Sequence, residues 1–151
     1  MKIEEVIKSA TALSPAKRIV LNIMYTQNML GESFNELLKP FDLSPEQFNV
    51  LRILRGAKGK PANMCVIQER MIARTSNTTR LVDKLLLKDL VTREVCPDNR
   101  RKMEVMITEK GLDVLRALDP LVNDHEENYA ANLSENEQEQ LTLLLEKYRG
   151  N

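Results

Sequence analysis

The side chains whose types and spacing can do chemistry lie in two short stretches. The first is Arg74-Thr75-Ser76-Asn77-Thr78-Thr79-Arg80. If it opens a helix, short polar groups let the backbone approach a nucleic-acid groove, and the free N-terminal amides favour phosphate. Within it Ser76, Asn77, Thr79 and Arg80 suit the major groove: Arg80 can meet guanine O6 and N7 bidentately, and Asn77 can pair with adenine. The second stretch is Cys96-Pro97-Asp98-Asn99-Arg100-Arg101-Lys102, turn formers followed by three cations. An arginine-tipped hairpin can enter a narrow minor groove, where the negative potential is enhanced. Taken singly, one is an ordinary solvated helix start and the other a solubilising hairpin tip. Together, in this order and at this distance, they point to DNA.

Catalytic chemistry finds no comparable cluster. His125 is the one histidine and sits among Asp124, Glu126 and Glu127, which reads as a solvated surface residue. Cys65 and Cys96 are 31 positions apart with no CxxC pattern, so neither a zinc site nor a disulfide scaffold is expected. Each cysteine reads as a small buried apolar residue rather than a redox sensor. The five glycines form no phosphate-cradling loop, and the seven methionines suit flexible core filling or an adaptable ligand crevice. No enzyme, metal or cofactor is expected.

Apolar spacing defines the elements that must hold these groups. Ile19, Ile23, Leu30, Phe34, Leu37 and Leu38 mark one face of a helix of about six turns from Pro15, halted by Lys39-Pro40. Ser44-Pro45-Glu46-Gln47 is a helix start with a capping box, flanked by Leu43 and Phe48 as a hydrophobic staple. That helix ends near Gly56 or Gly59, and a short one follows near 63–71. The next is capped by Thr75 or Ser76 and turns Thr78, Leu81, Val82 and Leu85 inward. After Asp89 the period changes to two: Val91, Arg93 and Val95, then Met103, Val105 and Ile107, predict a β-hairpin around the cationic stretch. Thr108 caps a further helix that Pro120 should kink or split. Ser134 and Glu137 form a capping box for a last helix, with Leu141, Leu144, Leu145 and Tyr148 on one face.

Charge sharpens the picture. The 151 residues carry 22 basic and 22 acidic groups, yet the zero total is a cancellation. Residues 70–102 hold nine basic and four acidic groups, whereas 113–151 hold three basic and nine acidic. An acidic layer would turn DNA toward the basic lobe. The longest apolar runs, such as Ile19-Val20-Leu21, are too short for a membrane span. Glu4 and Glu5 oppose a secretory signal, so a cytoplasmic chain is expected.

Three helices and a cation-tipped hairpin are the layout of a winged helix-turn-helix. The motifs then become more specific. Thr79-Arg80-Leu81-Val82-Asp83-Lys84-Leu85, Leu90-Val91, Asp98-Asn99-Arg100-Arg101 and Ile107-Thr108-Glu109-Lys110-Gly111 resemble the MarR family of bacterial regulators. Leu43-Ser44, Gln47-Phe48 and Leu51 are similar to its second-helix signature. The resemblance implies a mainly α fold with a small β-hairpin: a DNA-binding lobe over 39–111 and dimerisation helices over 1–38 and 112–151, the last using Leu141, Leu144, Leu145 and Tyr148. It implies a homodimer on a pseudo-palindromic operator in double-stranded DNA. It also implies repression, less often activation, relieved by a small aromatic or phenolic ligand. Ser76, Asn77, Thr79, Arg80 and Lys84 would face the major groove or its phosphates, and Arg100 the minor groove. Arg101 and Lys102 would hold phosphates, while Asp98 would order the wing by pairing with Arg80 or Arg101.

Three departures stand out. Asp89 occupies a position usually glycine, Thr78 one that is commonly apolar, and neither cysteine lies where the peroxide-sensing branch carries its reactive one. The first two leave an alternative: a winged-helix protein-interaction module that has lost DNA binding.

Overall fold

In the computed structural model, which describes residues 1–73, 77–96, 99 and 102–150, the chain divides into two compact units, Met1–Pro45 and Glu46–Asn151. The first is built on a single long helix. Proline at the first helical position and Ser14 as N-cap fix its start, the Lys17 amide donating to Ser14 Oγ at 3.3 Å. A four-residue helix, α1 (Ile3–Val6), precedes it and is too short for periodicity to reveal. The long helix, α2, spans Pro15–Leu38 and ends in a 3-10 turn over Lys39–Phe41, as the Lys39-Pro40 pair requires. Arg18 Nε donates to Glu4 Oε1 at 2.9 Å, tying α1 to α2.

The second unit runs α3 (Pro45–Gly56), β1 (Ala62–Asn63), α4 (Met64–Arg70), α5 (Thr78–Leu87), β2 (Val91–Val95), β3 (Met103–Ile107), α6 (Glu109–Ala130) and α7 (Glu135–Tyr148). This is a winged helix-turn-helix: α3, α4 and α5, then the hairpin β2–β3. Its buried side chains include Leu51 and Leu54 of α3, Ile67 of α4, Val82 and Leu85 of α5, Val105 of β3, and Leu115 and Leu118 of α6. Arg55 of α3 and Asp119 of α6 form a bidentate pair at 2.7 and 3.0 Å.

The hairpin pairs Val91 with Ile107 through Val95 with Met103. The sheet has a third member that alternation cannot reveal, since β1 is two residues long: Ala62 pairs with Val105 and Asn63 with Glu104, in the order β1-β3-β2. Burial on β2 fades away from the core. Val91 is buried, but Val95 is exposed despite sharing its face.

Helix ends follow their side chains closely. Asn63 caps α4, its Oδ1 accepting from the Val66 amide at 3.0 Å. Thr108 caps α6 by accepting from the Gly111 amide at 3.0 Å. Ser134 and Glu137 form the expected reciprocal box at α7, where the Ser134 hydroxyl and amide hold the Glu137 carboxyl below its ordinary pKa. Two expectations are corrected. Pro120 does not split α6, which is continuous over Glu109–Ala130. Its ring lies on an exposed face between the buried Leu118 and Val122, so the unpaired carbonyl one turn back can be solvated. Cys65 is exposed rather than buried. It stands two residues from Ile67 on α4, about 200° around the helix, so burying Ile67 turns Cys65 outward. Cys96 is buried as expected.

Candidate nucleic-acid interface

α5 carries the site, and its orientation is set by its buried face. Thr78, Val82 and Leu85 are buried, with Leu81 half-buried beside them. At roughly 100° per residue, the opposite pole falls on Arg80, Lys84 and Leu87, all exposed. Asn77 and Thr79 are exposed at its start. Asn77 itself is the N-cap and makes no side-chain capping bond, which corrects the expected cap at Thr75 or Ser76. The structure brings Asn77, Thr79, Arg80 and Lys84 together on one helix. Ser76 lies outside the described residues, as do Asp98, Arg100 and Arg101 of the wing. Lys102 is exposed at the foot of β3; its amide donates to the Asn99 carbonyl at 2.8 Å, and its carbonyl accepts from the Cys96 amide at 2.9 Å.

The far end of α5 explains how it joins the wing. The Leu90 amide donates to the Leu85 carbonyl and the Asp89 amide to the Leu86 carbonyl, both at 3.0 Å, which is a Schellman termination. Such a turn needs one left-handed residue, and Asp89 supplies it with φ +58°. Aspartate therefore fills the role of the expected glycine without changing the turn. The Asp89 carbonyl accepts from the Thr108 hydroxyl at 2.8 Å, and the Leu90 carbonyl from the Thr108 amide at 3.1 Å. A Cβ on Gly111 would lie 2.4 Å from that Leu90 carbonyl. The residue pattern Leu90-Val91 and Thr108-Glu109-Lys110-Gly111 is thus one joint, where the end of α5 seats against the start of α6.

Asp83, which its spacing does not single out, accepts through Oδ1 from Arg93 Nη1 at 2.6 Å. The pair ties the exposed side of α5 to the middle of β2. The available signal was opposite charge on two elements joined by a tight turn. Thr78, the other departure, is buried as an apolar residue would be, and its hydroxyl has no hydrogen-bond partner among the described residues. Burying that hydroxyl costs its desolvation.

The MarR family model matches residues 43–103. The HTH-type transcriptional regulator MhqR of Bacillus subtilis (strain 168) is 30% identical over 129 residues, spanning 85% of this chain and 86% of that protein. The chain belongs to the MarR family. The HTH-type transcriptional repressor IacR of Pseudomonas putida is 29% identical over 122 residues, 81% of this chain and 69% of that one. The crystal structure of a MarR transcription factor from Planctomyces limnophilus superposes with a TM-score of 0.70 at 30% identity, covering 90% of this chain and 98% of that one. In MarR-family terms α5 is the recognition helix and β2–β3 the wing.

Proposed function

We propose that this chain is a homodimeric, sequence-specific DNA-binding transcriptional regulator. It acts in the bacterial cytoplasm as a repressor, and a small aromatic or phenolic ligand relieves its hold on a pseudo-palindromic operator. It carries out no enzymatic chemistry. The observation that carries the DNA reading is the solvent pole of α5, where a MarR-family chain presents Arg80 and Lys84 behind the short polar Asn77 and Thr79. In this reading Ser76, Asn77, Thr79, Arg80 and Lys84 engage the major groove, Arg100 the minor groove, and Arg101 and Lys102 the phosphates, with Asp98 ordering the wing. Naming of IacR as a repressor supports the sign of regulation.

Residues 1–38 and 112–151 supply the dimer contacts. Leu141, Leu144 and Tyr148 of α7 are exposed and Leu145 is half-buried, while α2 exposes Ile19, Val20, Met24 and Met29. Runs of large apolar side chains on both terminal segments are surfaces that a second copy covers.

With roughly 8–10 phosphates neutralised per dimer, the logarithm of the binding constant should fall with log salt at a slope of about −7 to −9. Arg80→Ala is expected to weaken operator binding by about 1–3 kcal/mol per half-site and to relax base preference at one position. Fluorescence anisotropy on duplexes selected from a random library measures both. Salt-insensitive or absent binding by the unaltered protein would refute the proposal.

A further inference from the structure

Leu87 is 86% exposed and lies at the centre of the α5 solvent pole, directly opposite Val82 and Leu85. Its neighbours on that face are Arg80, Asp83 and Lys84, so it is the one apolar side chain in an otherwise charged stripe. A single exposed leucine is ordinary on a protein surface. Here its setting narrows what covers it. The flanking Arg80 and Lys84 favour an anionic partner, and the helix that bears them is the groove-reading element in the function proposed above, on which this inference rests. Within a major groove the apolar feature presented by the bases is the C5-methyl group of thymine. Leu87 follows Arg80 by seven residues, roughly 10 Å along the helix, so the two side chains would reach different base pairs of one half-site.

We propose that Leu87 is a specificity-determining residue that contacts a thymine methyl in the same half-site as, but at a different base pair from, the base read by Arg80. The contact supplies no hydrogen bond and no charge. It discriminates by methyl burial, and it extends base readout from the polar start of α5 to its last turn.

Uracil in place of thymine removes the methyl and leaves pairing intact. The tightest duplex from a random library selected on the unaltered protein is resynthesised with deoxyuridine at each symmetric thymine pair in turn. Each duplex is titrated with unaltered protein and with Leu87→Ala. Removing a buried methyl should cost about fourfold per half-site, about fifteenfold for the symmetric pair. The inference holds if one thymine pair shows that loss with the unaltered protein and almost none with Leu87→Ala. It is overturned if no thymine pair separates the two proteins, in which case the leucine is left for a protein partner. It is overturned in a different way if the unaltered protein selects no duplex at all, because the DNA-binding function then falls with it. The side chain is exposed, so Leu87→Ala should melt as the unaltered protein does, and a thermal scan checks this.

Discussion

Asp89 and Gly111 show how single residues hold the recognition helix in place. A left-handed conformation is strained for residues with a Cβ, although aspartate accepts it better than most. The Asp89 side chain returns little: its Oδ2 lies 4.0 Å from Lys110 Nζ and both groups are largely exposed, where such pairs contribute almost nothing. Asp89→Gly is therefore expected to stabilise the fold by about 0.5–1 kcal/mol, read as a higher denaturant midpoint with an unchanged slope. A lower midpoint would mean that the carboxylate stabilises the turn by more than its strain costs. Gly111 has the opposite sensitivity. Its added Cβ would collide with the Leu90 carbonyl, which is backbone and cannot swing away, and would also crowd the Ile107 side chain at 2.7 Å. Gly111→Ala should cost about 2–4 kcal/mol and loosen the joint between α5 and α6. An unaltered midpoint would contradict that geometry.

At the scale of elements, the wing and the recognition helix are linked by a turn and an ion pair. The Schellman turn sets where β2 leaves α5, and the Asp83–Arg93 pair bridges the two elements beyond it. An exposed pair of this kind adds little stability, so its worth is positional. Asp83→Asn tests this against plain electrostatics, because it removes a negative charge from the face proposed to meet phosphate. If the pair positions the wing, Asp83→Asn should weaken operator binding about tenfold while the melting temperature barely moves. Tighter binding would show that Asp83 restrains Arg93 from the phosphates instead. Most of these elements were legible in the residues. Thr108 and Ser134 with Glu137 place two helix starts, because capping is a local interaction between neighbours in sequence. The cap of α5 was misplaced because Thr75, Ser76 and Asn77 are all good capping types and local preference does not rank them. α1 and β1 were invisible for a different reason: neither is long enough to show a period.

For the whole molecule, dimerisation is the property on which symmetric operator binding depends. α7 buries none of its fourteen residues completely, although it carries Leu141, Leu143, Leu144 and Leu145. Leu144→Glu, at a position 63% exposed, places a charge on that surface without disturbing a buried side chain. The variant should sediment as a folded monomer, with unchanged helical content by circular dichroism and much weaker affinity for a two-half-site duplex. A folded dimer of normal affinity would remove α7 from the interface. The segregated charge, with residues 70–102 basic and 113–151 acidic, was visible in the sequence and corresponds to the lobe that carries α5 and the wing.

The sequence by itself determined the order of the longer helices and the hairpin, the caps of α6 and α7, the cationic content of α5 and membership of a groove-reading fold class. These rest on periodicity, capping and charge, which act between residues a few positions apart. Tertiary structure alone decided that Asp83 meets Arg93, that Gly111 must be bare to admit the Leu90 carbonyl, that Cys65 faces outward and that Leu87 stands at the pole opposite the core. Each depends on which face of a helix is buried or on residues brought together across a turn. In the Leu85-Leu86-Leu87 run three identical side chains end up buried, half-buried and exposed. Composition does not distinguish them; the rotation of α5 against its core does.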